Sequence, residues 1–203
     1  MKALLEKLEA YYDRQFVFVG DYIDRGPASK QVVDYLLDFK EKVDCVFLRG
    51  NHEQMLLDAF KKNRKNMWFM NGGRATIASY DTDGEDVKLP ENHREFYENT
   101  MLYYDTENYF FVHAGLSPAK TIADSLKDDN EIQEFLWERS HLNAFETPWE
   151  KTVVFGHTPN PKPIQKDKMI GIDTGCVFDG MGLGKLTAVK LPEEEFIQQT
   201  AID

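Results

Sequence analysis

The sequence predicts an α/β fold, a single domain over residues 1–203 built on one mixed sheet or two packed sheets. Two patterns carry the prediction. In the first half, short apolar runs of strand type alternate with stretches of helical periodicity. Towards the end, short strand-like runs succeed one another between glycines, which suggests antiparallel pairing.

Leu4, Leu5, Leu8 and Tyr12 recur at helical spacing, so residues 2–13 read as an amphipathic helix. Phe16 to Val19 is fully apolar and reads as a strand buried on both faces. Ser29 is placed to cap a second helix with Val32, Val33, Leu36 and Leu37 on its buried side. Val43 to Leu48 repeats the buried-strand pattern, and Glu53 to Phe60 reads as a third helix. Further strands are expected at Tyr109–Val112, Thr152–Phe155, Met169–Ile172, Lys185–Leu191 and Glu195–Gln198, with helices at Pro90–Asn99 and Asp129–Arg139. There is no internal repeat and no low-complexity tract.

Composition narrows the function. Apolar residues make up 42% of the chain, too many for a disordered segment and enough for a full core. The 24 basic and 35 acidic residues leave a net charge of −11, which disfavours gripping the phosphate backbone of a nucleic acid. No run approaches the length of a membrane span. The first residues mix charges with leucines and lack the apolar core of a signal peptide, so a cytoplasmic location is expected. Cys45 and Cys176 are too few for a disulfide scaffold, and neither has a basic sequence neighbour that would activate its thiol.

The polar residues just past each apolar strand are the informative feature. Phe16–Val19 runs into Gly20-Asp21, Val43–Leu48 into Arg49-Gly50-Asn51-His52, Tyr109–Val112 into His113, and Thr152–Phe155 into Gly156-His157. In α/β proteins that edge is where ligands bind. Asp21, Asn51, His113 and His157 offer a carboxylate, an amide oxygen and two imidazoles, a mixed set that suits Mn, Fe or Zn better than Ca or Mg. Three of the five histidines stand at such strand ends. His93, in a polar helix, and His141, in a polar turn, read as ordinary surface residues; Arg49 and Arg74 are further candidates to approach the site, with structural pairing the favoured reading for both.

The stretches GDYIDRG (20–26), RGNHE (49–53), VHAG (112–115) and FGHT (155–158) together resemble the phosphoprotein-phosphatase branch of the calcineurin-like metallophosphoesterases. Within it the likeness is greatest to the bacterial and phage members and to the symmetrical dinucleoside-tetraphosphate hydrolases. NGG (71–73), LWERS (136–140) and IDTG (172–175) extend it over roughly residues 16 to 190. The resemblance implies two mixed β-sheets packed face to face with helices outside, and a centre of two divalent metals, Mn²⁺ first and Fe or Zn next. It implies that Asp21 bridges the metals, that Asn51, His113 and His157 complete the second, and that His52, oriented by Asp24, protonates the leaving oxygen. Arg25 and Arg139 are implied to clamp the phosphate. The implied reaction is direct attack of a metal-bound hydroxide on phosphorus.

Family members begin with a strand ending in Asp-x-His-Gly, and no Asp-x-His occurs in these 203 residues. The first strand of the fold is therefore expected to be missing, and with it two ligands of the first metal, so that one metal instead of two is an expectation for this chain. A start internal to a longer gene product is the favoured explanation. Asp179 to Gly184 reads as an added loop. The expectation is a serine/threonine protein phosphatase-like enzyme acting on a phosphorylated protein or small phosphoester. A dinucleoside-polyphosphate hydrolase is the alternative, and a non-catalytic metal- or phosphate-binding relative the rival from another class.

Overall fold

In the computed structural model, helical periodicity at the start of the chain becomes α1 (Lys2–Lys7), which buries Leu4 and Leu5. The structure describes residues 1–80, 88–128 and 131–202. It divides into two units: Ala10–Met101, and Met1–Glu9 with Leu102–Asp203.

Where the unit Ala10–Met101 begins, α1 has already ended and residues Glu9–Tyr11 form a 3₁₀ turn in place of the longer helix expected to residue 13. Packing overrides periodicity here, because Tyr12 leaves the helical path to meet the edges of Phe16 and Phe39 at 6.0 and 5.1 Å. Strand β1 (Phe16–Phe18) pairs in parallel with β2 (Cys45–Phe47). Both strands are half-buried, not buried on both faces as expected. Helix α2 (Ser29–Lys40) buries Val33, Leu36 and Phe39 and leaves Val32 and Leu37 outside the fully buried stripe. Ser29 is its first residue and not its cap; its hydroxyl accepts from the backbone N–H of Asp24. Helix α3 (Asn51–Lys62) comes soon after β2, then α4 (Lys65–Met70), α5 (Gly73–Ser79) and α6 (Glu91–Glu98).

The expectation that His93 is a surface residue is overturned. It lies on the inner face of α6 with Phe96 and Tyr97, at the i, i+3, i+4 spacing of a buried stripe. Its Nε2 contacts Asp34 Oδ1 at 2.9 Å and its Nδ1 the Tyr80 hydroxyl at 2.7 Å, and Tyr80 continues to the Tyr97 hydroxyl at 2.9 Å. A fully bonded network of this kind allows an imidazole into a core. Cys45 is half-buried, and burial pushes its thiol up to about 11, in keeping with an unreactive side chain.

The other unit is built on a mixed five-stranded sheet in the order β3 (Tyr103–Asp105), β4 (Tyr109–Val112), β5 (Thr152–Phe155), β7 (Met169–Gly171), β6 (Ile164–Lys166). The pairs β4/β5 and β5/β7 are parallel and the two outer pairs antiparallel. Phe110, Val112, Val153, Phe155 and Met169 form the core with Phe135 of α8 (Glu131–Trp137), Ile122 of α7 (Ile122–Ser125), and Trp149. Asp129 and Asn130, the start of the expected helix, lie outside the described residues. The antiparallel hairpin β8 (Lys185–Lys190) and β9 (Glu195–Thr200) closes the chain, as its spacing predicted, and the Lys7 ammonium of α1 donates to Gln198 O at 3.1 Å. The loop before it turns on Gly180, Gly182 and Gly184, all with positive φ.

His141 is likewise not on the surface. It is fully buried, and among the described residues neither ring nitrogen has a hydrogen-bond partner. It meets Phe155 edge-on at 4.6 Å. Gly115 makes room for it: a Cβ there would stand 2.2 Å from His141 Cε1, and its φ is +137°. Burial pushes the imidazole down to about 4, with Lys166 adding to the effect and Glu138 opposing it.

Candidate active site

Parallel pairing explains why the residues picked out in the sequence share strand ends. With Phe18 opposite Phe47, the chain leaves β1 and β2 at the same edge. That edge carries Asp21 on one side and Asn51 with His52 on the other. In the other unit Phe111 lies opposite Val154, so β4 delivers His113 where β5 delivers His157. Gly156 N–H donates to His113 O at 2.8 Å and continues the pairing past the strands.

Within the first unit, Glu53 ties the two strand ends together. Its buried carboxylate accepts from the backbone N–H groups of Asp21 (2.9 Å), Tyr22 (2.8 Å) and Gly50 (2.8 Å). Burial raises its pKa, the charge of Asp21 adds to the rise, and these N–H donors pull it back. Gly50 is needed for the close approach, because a Cβ there would lie 2.1 Å from Asp21 Oδ1. His52 N–H donates to the same Asp21 oxygen at 3.3 Å, and Asn51 is buried at the first position of α3.

His52 and Asp24 form a buried pair, Nδ1 to Oδ2 at 2.6 Å. Burial opposes charge on the imidazole, but the hydrogen bond to Asp24 and the charges of Asp21 and Asp24 outweigh it. The His52 pKa is raised in consequence. With Nδ1 engaged, Nε2 is the nitrogen left to exchange a proton elsewhere. Asp24 also accepts from Trp68 Nε1 at 3.0 Å and Thr76 Oγ1 at 2.6 Å, while its own N–H reaches Thr76 and Ser29. Gly73 lets Trp68 take this position, since a Cβ there would come within 2.6 Å of the indole. Arg25 is exposed, and its N–H donates to Gly72 O at 3.3 Å. Asp21, Asp24 and Arg25 all have positive φ (59°, 73° and 61°), a backbone conformation costing about 1–3 kcal/mol per residue that concentrates at functional sites.

In the second unit His113 and His157 are buried, with Nε2 of the first 3.2 Å from Nδ1 of the second. His157 also has positive φ (66°). Arg139, exposed just after α8, places a guanidinium nitrogen 2.9 Å from His157 Nε2. A guanidinium only donates, so Nε2 accepts, and neutral His157 carries its proton on Nδ1 towards His113. The spacing of the pair fits a divalent ion, since two imidazole nitrogens bound tetrahedrally at ~2.0–2.1 Å stand roughly 3.3 Å apart; binding through Nδ1 moves the His157 proton to Nε2 and releases Arg139 from that nitrogen.

Each expected site residue thus has close partners in its own unit: Asp21, Asn51, His52, Asp24 and Arg25 in one, His113, His157 and Arg139 in the other. Glu53, Trp68 and Thr76 were missed in the sequence, as was the contact of Ser29 with Asp24. Only Glu53 left a signal, three residues after Gly50, where a glutamate turns back on a helix start. Arg49 is structurally paired as expected, to Thr100, Gln54 and Glu98.

An α/β chain that sets carboxylate, amide and imidazole groups at the ends of parallel strands, beside a buried His–Asp pair, has the makings of a metallohydrolase. A family model described as calcineurin-like phosphoesterase matches residues 1–181, and the chain belongs to that family. Among curated proteins it is 32% identical to an asymmetrical bis(5'-nucleosyl)-tetraphosphatase PrpE of Oceanobacillus iheyensis, over 91% of this chain and 77% of that one. It is 29% identical to the protein of the same name from Anoxybacillus flavithermus, over 91% and 78%. Among solved structures a metallophosphoesterase from Sphaerobacter thermophilus shares the fold (TM-score 0.53, 15% identity, 100% of this chain and 84% of that one). So does a cold-active protein tyrosine phosphatase (TM-score 0.54, 16% identity, 85% and 62%). Among the described residues no helix is long and apolar enough to cross a membrane.

Proposed function

We propose that this phosphoesterase hydrolyses dinucleoside polyphosphates, cleaving a dinucleoside tetraphosphate asymmetrically into a nucleoside triphosphate and a nucleoside monophosphate. The single observation that carries the substrate class is the likeness, over 91% of the chain, to relatives that bear that activity as their name. The proposal places second the protein-phosphatase activity that the motifs suggested first. The whole chain is taken as one functional domain.

In this reading Asp21, Asn51, His113 and His157 hold a divalent cation, with Mn²⁺ favoured by the mixed nitrogen and oxygen set. Bound there, the cation supplies positive charge against the phosphoryl oxygens. His52 is the acid. Its Nδ1 is fixed on Asp24, its raised pKa favours the protonated form that an acid needs, and Nε2 gives that proton to the departing oxygen. Trp68 and Thr76 hold Asp24 so that the imidazole cannot swing. Arg25 and Arg139 bind phosphate oxygens, for which planar guanidinium groups have the matching geometry.

One observation favours a second substrate class. An acid held as firmly as His52 matters most when the leaving oxygen is a strongly basic alkoxide, as in phosphoserine, and less when it belongs to a phosphate. The test is product analysis by chromatography. Diadenosine tetraphosphate, a phosphoserine peptide and p-nitrophenyl phosphate are incubated with the chain and Mn²⁺, beside His52→Asn. ATP with AMP, formed at higher kcat/KM than peptide dephosphorylation, supports the proposal. Two ADP would make the cleavage symmetrical, and hydrolysis of the peptide alone would reverse the order again.

A further inference from the structure

We propose that Arg74, backed by Phe69 and flanked by Met70, is the platform on which the base of a bound nucleotide stacks. The proposal rests on the dinucleoside-polyphosphate reading and names the part of the chain that recognises the nucleoside. The segment from Met67 to Arg74 touches the turn that carries Asp24 and Arg25 at two points. Trp68 points inwards and donates to Asp24. Gly72 lies against Arg25, accepting its N–H, and with φ +106° a Cβ there would meet Arg25 Cγ at 2.8 Å. Arg74 comes two residues later.

The outward side of the same segment has the chemistry of a base site. The Arg74 guanidinium, exposed, lies 4.8 Å from the centroid of the Phe69 ring. Phe69 in turn lies 5.6 Å from the Trp68 ring, so a run of flat groups leads from the Asp24 carboxylate to the surface. Met67 and Met70, one turn apart on α4, are 59% and 86% exposed and form an apolar rim. A planar cation held over an aromatic ring attracts the face of a nucleobase by stacking and cation–π contact. Arg25, on the other side of Gly72, offers charge to the phosphate. Two guanidinium groups on adjoining turns stand out in a chain of net charge −11. A nucleotide, flat and apolar at one end and anionic at the other, complements this arrangement, whereas a phosphoserine peptide brings a flat group there only where its sequence places an aromatic residue.

The experiment is calorimetric binding of AMP and of ribose 5-phosphate in Mn²⁺. The two ligands carry the same phosphate and sugar and differ in the base. The wild-type chain should bind AMP tighter by roughly 5- to 150-fold, the range for one stacked base. Arg74→Ala should bring the ratio of the two dissociation constants to within about twofold of one. Arg74→Lys should not restore it, because an ammonium has no planar face. Circular dichroism checks folding, and Arg74→Gln serves if the alanine variant fails to fold. Equal affinities in the wild type, no binding of either ligand to the folded chain, an unchanged ratio in the variants, or rescue by lysine would each overturn the proposal. Failure of the substrate reading itself shows separately, as an AMP preference in a chain that leaves diadenosine tetraphosphate intact.

Discussion

His141 should make the stability of this protein depend on pH between about 6.5 and 4. The residue is fully buried, neither of its nitrogens has a partner among the described residues, and burial holds its pKa at about 4. In the unfolded chain a histidine titrates near ~6.5. The folded value is the lower one, so the unfolded state binds the extra proton throughout the interval. Stability is complete above the unfolded value and falls as pH drops towards the folded one. A gap of ~2.5 units at about 1.36 kcal/mol each gives a total loss of about 3 kcal/mol, of which about 2 kcal/mol is reached by pH 5. Glu138 and Lys166 are the charges that act on the ring, in opposite senses. The assay is urea unfolding from pH 7.5 to 4.5 for the wild type and His141→Leu, both in chelator so that metal release adds nothing. Other titrating groups cancel in the difference between the two proteins. That difference should shift in favour of the variant by about 2 kcal/mol between pH 7 and pH 5. Parallel profiles would refute the reasoning and mean that the buried imidazole gains a proton without cost.

Other expectations rest on the close contacts. Glu53→Gln keeps the shape but puts a donor among three backbone N–H groups, and should lower stability by about 2 kcal/mol in chemical denaturation. Gly50→Ala drives a methyl group into Asp21, so the affinity for Mn²⁺ measured by calorimetry should fall about 10- to 100-fold. His52→Asn should reduce kcat by ~10²–10⁴ with a smaller effect on KM. Trp68→Phe removes one of the donors that fix Asp24 and should reduce kcat about tenfold while leaving the circular dichroism spectrum unchanged. Chelation should abolish turnover of p-nitrophenyl phosphate, and added Mn²⁺ should restore it.

Much of the fold was legible because strand and helix periodicities are local. Tyr109–Val112 and Thr152–Phe155 fall within the limits read from the sequence, and glycines mark the loop before β8. Helix ends were less legible. The first helix stops well before residue 13 because Tyr12 finds aromatic partners that periodicity does not register. Helix α4 and helix α5 are short and separated by Gly72, so neither carries a run long enough to read.

The site divides in the same way. Polar groups placed just past apolar strands could be read directly, because strand direction alone decides that they emerge at an edge. Which of them meet depended on the parallel register of β1 with β2 and of β4 with β5. The sequence misplaced His93 and His141 on the surface, since the partners that decide their burial lie far away along the chain. Asp34 and Tyr80 admit His93 by bonding both nitrogens, whereas Gly115 admits His141 by lacking a side chain. The residues that deliver chemistry were therefore written in local pattern. Glu53, Trp68 and Thr76, which hold those residues in place, became visible only in the tertiary structure, because a hydrogen bond across many residues of sequence leaves no mark on the residues between.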